Sequence, residues 1–429
     1  MAAGEGSRLA AANGVDLKPM VRVMGLSLAE RTLCTCAKAG VRRFLVVLGH
    51  RSEEVRAHFK EIARRRGFEV ETTVADDWAL GNGASLLAAS GRVGEEPFLI
   101  TMVDHILDCG IYNRLLEAPP REGEICLAVD RNCRELFDER DTTKVCLTED
   151  RVRAIGKDLR AWDAADTGVF LCTRAIFEGL GRARLCGRHT LTDGVAELAE
   201  EGMVRAVDVT GKDWVDVDVP EALREAGRRL AGSIRKGKGN EDGLLSSWLN
   251  RPISVRLSVV LARTRITPNQ ITVASFLLAL AGAGFFAPGT YALALLGGFL
   301  LQAASILDGC DGEVARLKES GSVRGAWLDS VLDRYADLAA AVAITFGYAG
   351  THPGSLPWIA GMLAGGSFLL ASFVTKEYQL RYGVAYPNDM LNRLKHRDIR
   401  LFFLFLGSLA GVPFAALLLS GVLTHLLIA

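Results

Sequence analysis

The sequence predicts two fused domains, a Rossmann-like α/β soluble domain and an all-α domain of six transmembrane helices. The chain has 429 residues, of which 49% are hydrophobic. Charged residues are frequent in residues 1–240, whereas long apolar runs fill residues 266–429. A chain of this length has room for two or three domains. We therefore assign residues 1–233 to the soluble domain, 234–265 to a linker with an amphipathic helix, and 266–429 to the membrane domain.

Strands that alternate with helices indicate the α/β domain. Arg43–Leu48 is typical of a buried strand, Arg51–Arg64 of a helix, and Pro97–Val103 of a further strand that ends at Asp104. This alternation predicts a mostly parallel sheet with ligands at the carboxyl ends of its strands. Asp104 is then placed where a metal-binding carboxylate would meet a nucleotide.

Two more aspartates, Asp216 and Asp218, end a later strand in the segment WVDVD. Either one could supply a second carboxylate beside Asp104. The alternative role is to cap the helix that begins near Pro220.

A glycine-rich loop opens the chain and leads into basic residues. Gly4 and Gly6 precede Arg8, and Lys18 follows. Backbone N–H groups of such a loop can surround a triphosphate, and Arg8 and Lys18 would neutralise charge as pyrophosphate leaves. A flexible start to the protein is the alternative explanation of this pattern.

This half resembles the sugar-phosphate nucleotidyltransferases, and most closely an inositol-1-phosphate cytidylyltransferase. The matching segments are AAGEGSRL, KPMVRV, GNGAS, VDH, TKV, IGKDL, DTG and WVDVDVPE. The resemblance implies CTP contacts from Gly4, Gly6, Arg8, Lys18, Gly81, Asn82 and Ser85. It implies Mg²⁺ (or Mn²⁺) ligands at Asp104 with Asp216 or Asp218. It also implies sugar-phosphate contacts from Lys144, Lys157 and Asp166.

One departure from that family concerns the first strand. A buried strand precedes the AAGxG loop in the family, and here Met1 stands directly before it. We expect either that the true start lies upstream or that this strand is missing, which would weaken the nucleotide site.

The linker and the first membrane helix have recognisable ends. Residues 228–243 are basic and then glycine-rich, as flexible linkers are. Leu244–Leu261 mixes apolar residues with Arg and Ser, which fits an amphipathic helix on the membrane surface or a plain linker helix. Thr267 and Pro268 then form a helix start, with Thr267 as the N-cap.

Six apolar segments predict the transmembrane helices. They run approximately over 271–287, 290–307, 326–348, 355–374, 400–412 and 414–428. Lys and Arg residues cluster before the first segment, after the second and after the fourth, and the other connections have none. The positive-inside rule then predicts a multi-pass protein of the cell membrane, with its soluble domain and active sites in the cytoplasm. The nine cysteines show no pairing pattern and are expected to be reduced, and no signal peptide is recognisable.

Four aspartates interrupt the apolar half. Asp308 and Asp311 are spaced i,i+3, and Asp329 and Asp333 are spaced i,i+4, so each pair shares a helix face. An unpaired carboxylate in a membrane span costs about 2.5–3.5 kcal/mol, so compensation is expected. The two faces together would offer oxygen ligands to one or two Mg²⁺-type ions. The alternative is that these aspartates cap helices or pair with nearby arginines in solvent.

At these residues the chain resembles the CDP-alcohol phosphotransferase family. The segment DGCDGEVAR, continued to LDSVLD, matches the family signature at every position. The resemblance implies a six-helix membrane enzyme in which Asp333 is the general base and Asp308, Asp311 and Asp329 are chiefly metal ligands. The remaining signature residues would lie at the bound CDP-alcohol: Gly312, Ala315, Arg316 and Gly325.

A homodimer is also expected from the family, and a nucleic-acid partner is not.

Basic residues follow the fourth apolar segment. They would either interact with anionic lipid or bind the phosphate of a phosphorylated acceptor through bidentate hydrogen bonds. Arg397 and Arg400 directly adjoin the fifth segment and are the first candidates, followed by Lys376 and Arg381.

The two resemblances together imply a two-step enzyme. The soluble domain would make CDP-inositol from CTP and inositol 1-phosphate, and the membrane domain would transfer the inositol-phosphate moiety to a second inositol 1-phosphate. One alternative is a phospholipid synthase that uses CDP-diacylglycerol, with an ancillary soluble domain. Another is a soluble half that binds ligands without catalysis.

Overall fold

The computed structural model describes residues 1–6, 17–132, 141–236, 246–387, 392 and 394–428. They form two compact units, Met1–Arg229 and Leu230–Ala429.

The described part of the first unit contains twelve strands, seven α-helices and two short 3₁₀ helices. The strands are β1 (Arg22–Val23), β2 (Leu26–Ser27), β3 (Arg43–Leu48), β4 (Glu69–Val74), β5 (Phe98–Thr101), β6 (His105–Leu107), β7 (Ile125–Asp130), β8 (Lys144–Thr148), β9 (Arg151–Gly156), β10 (Ala164–Cys172), β11 (Val204–Asp208) and β12 (Trp214–Asp216). The helices are α1 (Leu28–Lys38), α2 (Ser52–Arg66), α3 (Asn82–Leu87), α4 (Cys109–Leu116), α5 (Ala175–Leu185), α6 (Leu191–Glu200) and α7 (Pro220–Lys236), the last of which continues into the second unit.

The largest sheet of this unit is mainly antiparallel. Its six strands lie in the order β5-β10-β7-β11-β9-β8. Strand β10 runs antiparallel to β5, β7 and β8, and the β7–β11 pair is parallel. The prediction of a mostly parallel sheet is therefore wrong for these strands, although β3 and β4, which α2 connects, are parallel. For β8 and β9 the reason is local: a tight turn with Glu149 at φ 57° joins them, without a helix that would return the chain.

The first residues of the chain lie between β3 and β5. Ala2 forms a parallel bridge with Leu48. The amino group of Met1 donates to the Thr101 carbonyl at 2.8 Å, and the Val103 N–H donates to the Met1 carbonyl at 3.1 Å. These contacts bring the glycine-containing start of the chain to the carboxyl ends of β3 and β5.

All described secondary-structure elements of the second unit are helices. After a short π-helix (Ser246–Asn250), its helices are α8 (Arg251–Ala262), α9 (Pro268–Gly284), α10 (Tyr291–Leu317), α11 (Val323–Ala349), α12 (Leu356–Tyr382), α13 (Arg397–Leu409) and α14 (Pro413–Ile428). Six of them, α9 to α14, coincide with the six predicted apolar segments. By length and composition, α10 and α12 are long and apolar enough to cross a membrane, and α14 is a shorter apolar helix.

Small residues and caps position α9 against α10. Thr267 caps α9 by accepting the Gln270 N–H and Pro268 occupies its first turn, which confirms the predicted helix start. A Cβ added at Gly297 would lie 2.7 Å from the Gly282 carbonyl oxygen, so the two helices cross in direct backbone contact. This close approach allows short hydroxyl side chains of α9 to reach the aspartates of α10.

Candidate active sites

The first candidate site lies between β5 and β12. Strand β12 pairs with β6 and places Asp216 opposite His105. The Val217 N–H donates to the Asp104 carbonyl at 2.9 Å, which fixes the two segments side by side. As a result, Asp104, His105 and Asp216 offer ligand atoms that all lie within 4.8 Å of one another.

Lys18 brings an ammonium group into this site. Its Nζ donates to Asp104 Oδ2 at 2.7 Å and also to Asp218. The side chain is 10% exposed, so the ammonium depends on these carboxylates for compensation. Gly6, at φ +66°, packs on the Lys18 stem, because a Cβ added at Gly6 would lie only 2.5 Å from the Lys18 Cβ.

The charges of this site shift one another's pKa. Burial opposes the ammonium of Lys18, but Asp104 and Asp218 outweigh it and raise its pKa. Burial also opposes ionisation of Asp104, yet Lys18 and His105 hold its pKa below the usual range. Burial disfavours the imidazolium of His105, and the charges of Asp216 and Asp104 raise its pKa to about 9. Burial, partly offset by His105, raises the pKa of Asp216 to about 6.

The donor set of this site fits a divalent cation. Asp216 Oδ1 is buried and accepts no hydrogen bond from the described residues, and the nearest cationic atom is His105 Nδ1 at 3.8 Å. A buried carboxylate oxygen left in this way is suited to a hard cation, which prefers oxygen ligands. Asp104 and Asp216 could therefore hold Mg²⁺ here, and Asp218, which pairs with Lys18, stays the alternative second ligand.

Asp166 lies close to the same site. Its Oδ1 accepts the Gly168 N–H at 2.7 Å, and burial raises the pKa of Asp166 to about 6. Gly168, at φ +75°, touches the His105 ring, since an added Cβ would lie 2.6 Å from His105 Nε2. The DTG segment thus packs against the imidazole.

Other residues expected at this site have structural partners. Asn82 Oδ1 accepts the Leu191 N–H at 2.7 Å, and the buried Ser85 hydroxyl donates to the Gly81 carbonyl at 3.0 Å. These bonds tie α3 to α6 and close its first turn, so the predicted nucleotide contacts of Asn82 and Ser85 stay predictions.

The two lysines expected at the sugar phosphate also have other partners. Lys144 lies over the Trp162 ring at 5.8 Å, and Lys157 forms an ion pair with Asp141. Gly4 has open space around its Cα, and Arg8 falls outside the described residues.

The second candidate site lies among α9, α10, α11 and α13. Asp308 of α10 and Asp329 and Asp333 of α11 offer carboxylate oxygens within 4.8 Å of one another. Three carboxylate oxygens at this separation fit a divalent cation. Asp311 is turned towards α9, where Thr272 Oγ1 donates to its Oδ2 at 2.5 Å.

A guanidinium group lies between two carboxylates of this acidic cluster. Arg397 Nη1 lies 3.0 Å from Asp308 Oδ2 and 2.7 Å from Asp333 Oδ1. Ser275 also donates to Asp308 Oδ1 at 3.2 Å. A small cavity beside these groups is lined by Ser275, Asp308, Asp333 and Arg397.

The small residues of the signature leave backbone surface accessible near the aspartates. A Cβ added at Gly312 would make only an ordinary contact, at 3.6 Å with Arg316 Nη1. At Gly325 it would lie 3.0 Å from Asn269 Oδ1, so that glycine permits a close approach of α9. Ala315 is half-buried on the same helix as Gly312.

The four basic residues proposed for the acceptor phosphate occupy different positions. Arg397 lines the cavity, and Arg400 is buried behind it. Arg381 pairs with Glu377 at 2.5 Å and is 72% exposed, and Lys376 is exposed as well. Of these four basic residues, all of which the structure describes, only the two arginines of α13 lie near the aspartates.

Two buried residues at these sites were not anticipated from the sequence. His105 follows Asp104 directly, and its pairing partner Asp216 is distant in the chain. Asp337 continues the four-residue spacing of Asp329 and Asp333. Helix periodicity could therefore have predicted that it lies on the same face.

Comparison with known proteins agrees with this division of the chain. Residues 1–242 match the MobA-like NTP transferase domain, and residues 265–426 match the CDP-alcohol phosphatidyltransferase family. A bifunctional IPC transferase and DIPP synthase from Rubrobacter xylanophilus is 40% identical over 426 residues, which are 99% of this chain and 92% of that protein. The chain belongs to this bifunctional family.

Two further similarities accompany that match. The protein of the same name from Aquifex aeolicus is 34% identical over 432 residues, covering 99% of this chain and 95% of the relative. The solved inositol-1-phosphate CTP transferase from T. maritima has 24% sequence identity and a TM-score of 0.47, and the match covers 53% of this chain and 93% of that one. The chain is thus an enzyme with two transferase domains, one for nucleotidyl transfer and one of the CDP-alcohol type.

Proposed function

We propose that the protein makes CDP-inositol from CTP and inositol 1-phosphate and then transfers the inositol-phosphate moiety to a second inositol 1-phosphate. The product would be a phosphorylated di-myo-inositol phosphate, and CMP would leave. The observation that carries the proposal is the presence of both acidic sites in one chain that matches the named bifunctional relatives over 99% of its length.

The first reaction is a nucleotidyl transfer. A phosphate oxygen of inositol 1-phosphate attacks the α-phosphorus of CTP, the bond to the β-phosphate oxygen breaks, and pyrophosphate leaves. Lys18, together with Arg8, stabilises the negative charge that develops on the leaving group. Asp104 with Asp216 or Asp218 would hold Mg²⁺ or Mn²⁺, which neutralises phosphate charge when bound.

The second reaction takes place at the helical unit. Asp333 accepts the proton of an acceptor hydroxyl, whose oxygen attacks the phosphorus that bears the inositol. The bond to the cytidylate oxygen breaks and CMP leaves. Asp308, Asp311 and Asp329 would be the chief metal ligands, and Gly312, Ala315, Arg316 and Gly325 would accommodate the nucleotide. Arg397 and Arg400 are proposed for the acceptor phosphate, ahead of Lys376 and Arg381.

The helical unit is proposed to cross the cell membrane six times, with the soluble unit in the cytoplasm. Support comes from the six helices at the apolar segments and from large exposed side chains such as Leu363 and Phe373, at 62% each. Helix α8 would lie on the membrane surface. Its Ser254 and Ser258 donate to the buried Glu313, while Val260 on another side is 59% exposed. A homodimer is proposed from the family resemblance alone.

The proposal is tested by the products of the purified full chain in detergent with CTP, Mg²⁺ and inositol 1-phosphate. We expect pyrophosphate, CMP and a water-soluble bis-inositol phosphate, identified by mass. Incorporation of label only into a chloroform-extractable product, and only when CDP-diacylglycerol is supplied, would favour a phospholipid synthase and contradict the proposal. Absence of pyrophosphate would favour a soluble half without catalysis.

A further inference from the structure

Asp337 extends the acidic face of α11 by one more turn. It stands four residues after Asp333, so the two carboxylates lie on one side of the helix. Only 3% of the Asp337 side chain is exposed, compared with 16% for Asp333. It is not among the carboxylates that approach within 4.8 Å in the described site. A carboxylate buried this deeply requires cationic partners.

Both oxygens of Asp337 accept hydrogen bonds from α13. Oδ1 accepts from Arg397 Nε at 3.0 Å, and Oδ2 accepts from Arg400 Nη2 at 3.4 Å. Arg334 Nη2 lies 3.8 Å from Oδ2. With its oxygens directed to guanidinium groups, Asp337 is placed to orient arginines and not to join the metal cluster.

Arg397 connects Asp337 to the cavity. Its Nε edge faces Asp337, and its Nη1 faces Asp308 and Asp333. Asp308 and Asp333 belong to the candidate metal cluster, whereas Asp337, the third carboxylate described in contact with Arg397, lies outside it. A divalent cation would compete with Arg397 for the oxygens of Asp308 and Asp333, and would leave the Asp337 contact intact.

Two buried N–H-bearing atoms of Arg400 lack an acceptor among the described residues. It is 4% exposed, and its guanidinium carbon lies 4.5 Å from the centre of the Phe368 ring. Its Nε and Nη1 are buried and have no hydrogen-bond partner among the described residues. Buried donors of this kind are costly unless a ligand or water accepts from them.

We propose that Asp337 is a positioning residue that holds Arg397 and Arg400 in the orientation that binds the phosphate of a phosphomonoester acceptor. A guanidinium fixed through one edge keeps its other N–H groups for phosphate oxygens. Holding the side chains in place beforehand also reduces the entropy lost on binding. The inference deepens the function proposed above and rests on it for the identity of the acceptor.

The test compares Asp337→Asn, Arg397→Lys and the double variant in the full chain in detergent. The control is Glu53→Gln, which removes the acid of the surface ion pair with Arg56 on α2. Binding of inorganic phosphate is measured by calorimetry in the presence of Mg²⁺, and the KM values for inositol 1-phosphate and CDP-inositol are measured from CMP release.

Asp337→Asn is expected to weaken phosphate binding, and to raise the KM for inositol 1-phosphate, by about tenfold, the loss of one charge-assisted hydrogen bond. The KM for CDP-inositol and kcat should stay within about threefold, and Glu53→Gln should match the wild type. The double variant should lose clearly less affinity than the product of the two single effects, because Asp337 acts in part through Arg397.

Parallel changes in both KM values and kcat, or additive effects in the double variant, would overturn the inference. Should Asp337→Asn not fold, Arg397→Lys keeps the charge and loses the Nε contact, and an unchanged phosphate affinity in that variant would overturn it too. Failure of the wild type to form the bis-inositol product would refute the proposed function, whereas the phosphate titration still decides the role of Asp337.

Discussion

Lys18 Nζ and Asp104 Oδ2 lie 2.7 Å apart although 86 residues separate them in the chain. The contact joins the segment after the glycine-containing loop to the end of β5. It therefore couples the residues that would bind a triphosphate to those that would bind its metal ion.

Replacement of Lys18 tests whether its ammonium group takes part in the release of pyrophosphate. Lys18→Ala should lower the rate of pyrophosphate release by about 100-fold or more, which is the usual loss when one preorganised charge-stabilising group is removed. CMP release from added CDP-inositol should be unchanged. Lys60→Ala, at an exposed position on α2, is the control and should release pyrophosphate at the wild-type rate. Equal rates in the two variants would exclude Lys18 from the reaction.

A pair of glycine substitutions tests the packing of His105. Gly168 and Gly202 both have positive φ values, +75° and +72°, so an alanine at either position introduces similar backbone strain. Only at Gly168 does the added Cβ meet a neighbour, His105 Nε2 at 2.6 Å. Gly168→Ala should therefore slow pyrophosphate release well beyond Gly202→Ala. Equal activities, measured on samples with the same secondary structure by circular dichroism, would contradict the proposed contact.

The elevated pKa of His105 predicts a pH-dependent stability of the metal-free protein. Its pKa rises from 6.5 to about 9 on folding, because Asp216 and Asp104 outweigh the effect of burial. The imidazolium therefore stabilises the fold fully below pH 6.5, and this contribution is lost as the pH rises to about 9. In EDTA, the difference in thermal midpoint between wild type and His105→Asn should shrink over this interval. A difference that stays constant would mean that the ring carries no charge there.

Helix geometry made the second site largely predictable from the sequence. The spacing of Asp308, Asp329 and Asp333 on helices translates directly into shared faces, and these three carboxylates do come together. Asp337 obeys the same periodicity. It lies outside the signature, and its partners on α13 are set by tertiary packing, which periodicity does not encode.

The soluble unit was less predictable because its important contacts are long-range. The strands Arg43–Leu48 and Phe98–Thr101 follow from local apolar runs. The direction in which β10 pairs with its neighbours does not, and the expectation of a parallel sheet failed there. The Asn82 side chain accepts a hydrogen bond from the Leu191 N–H, 109 residues later, and local sequence carries no signal for this contact between two helices.

The central claim is that one chain contains two separate active sites, and a pair of variants tests it most directly. Pyrophosphate and CMP release are measured in parallel for Asp104→Ala and Asp333→Asn in the detergent-solubilised full chain, with CDP-inositol supplied for the second reaction. Asp104→Ala should lose pyrophosphate release and keep CMP release, and Asp333→Asn should do the reverse. Loss of both activities in either correctly folded variant would contradict the account.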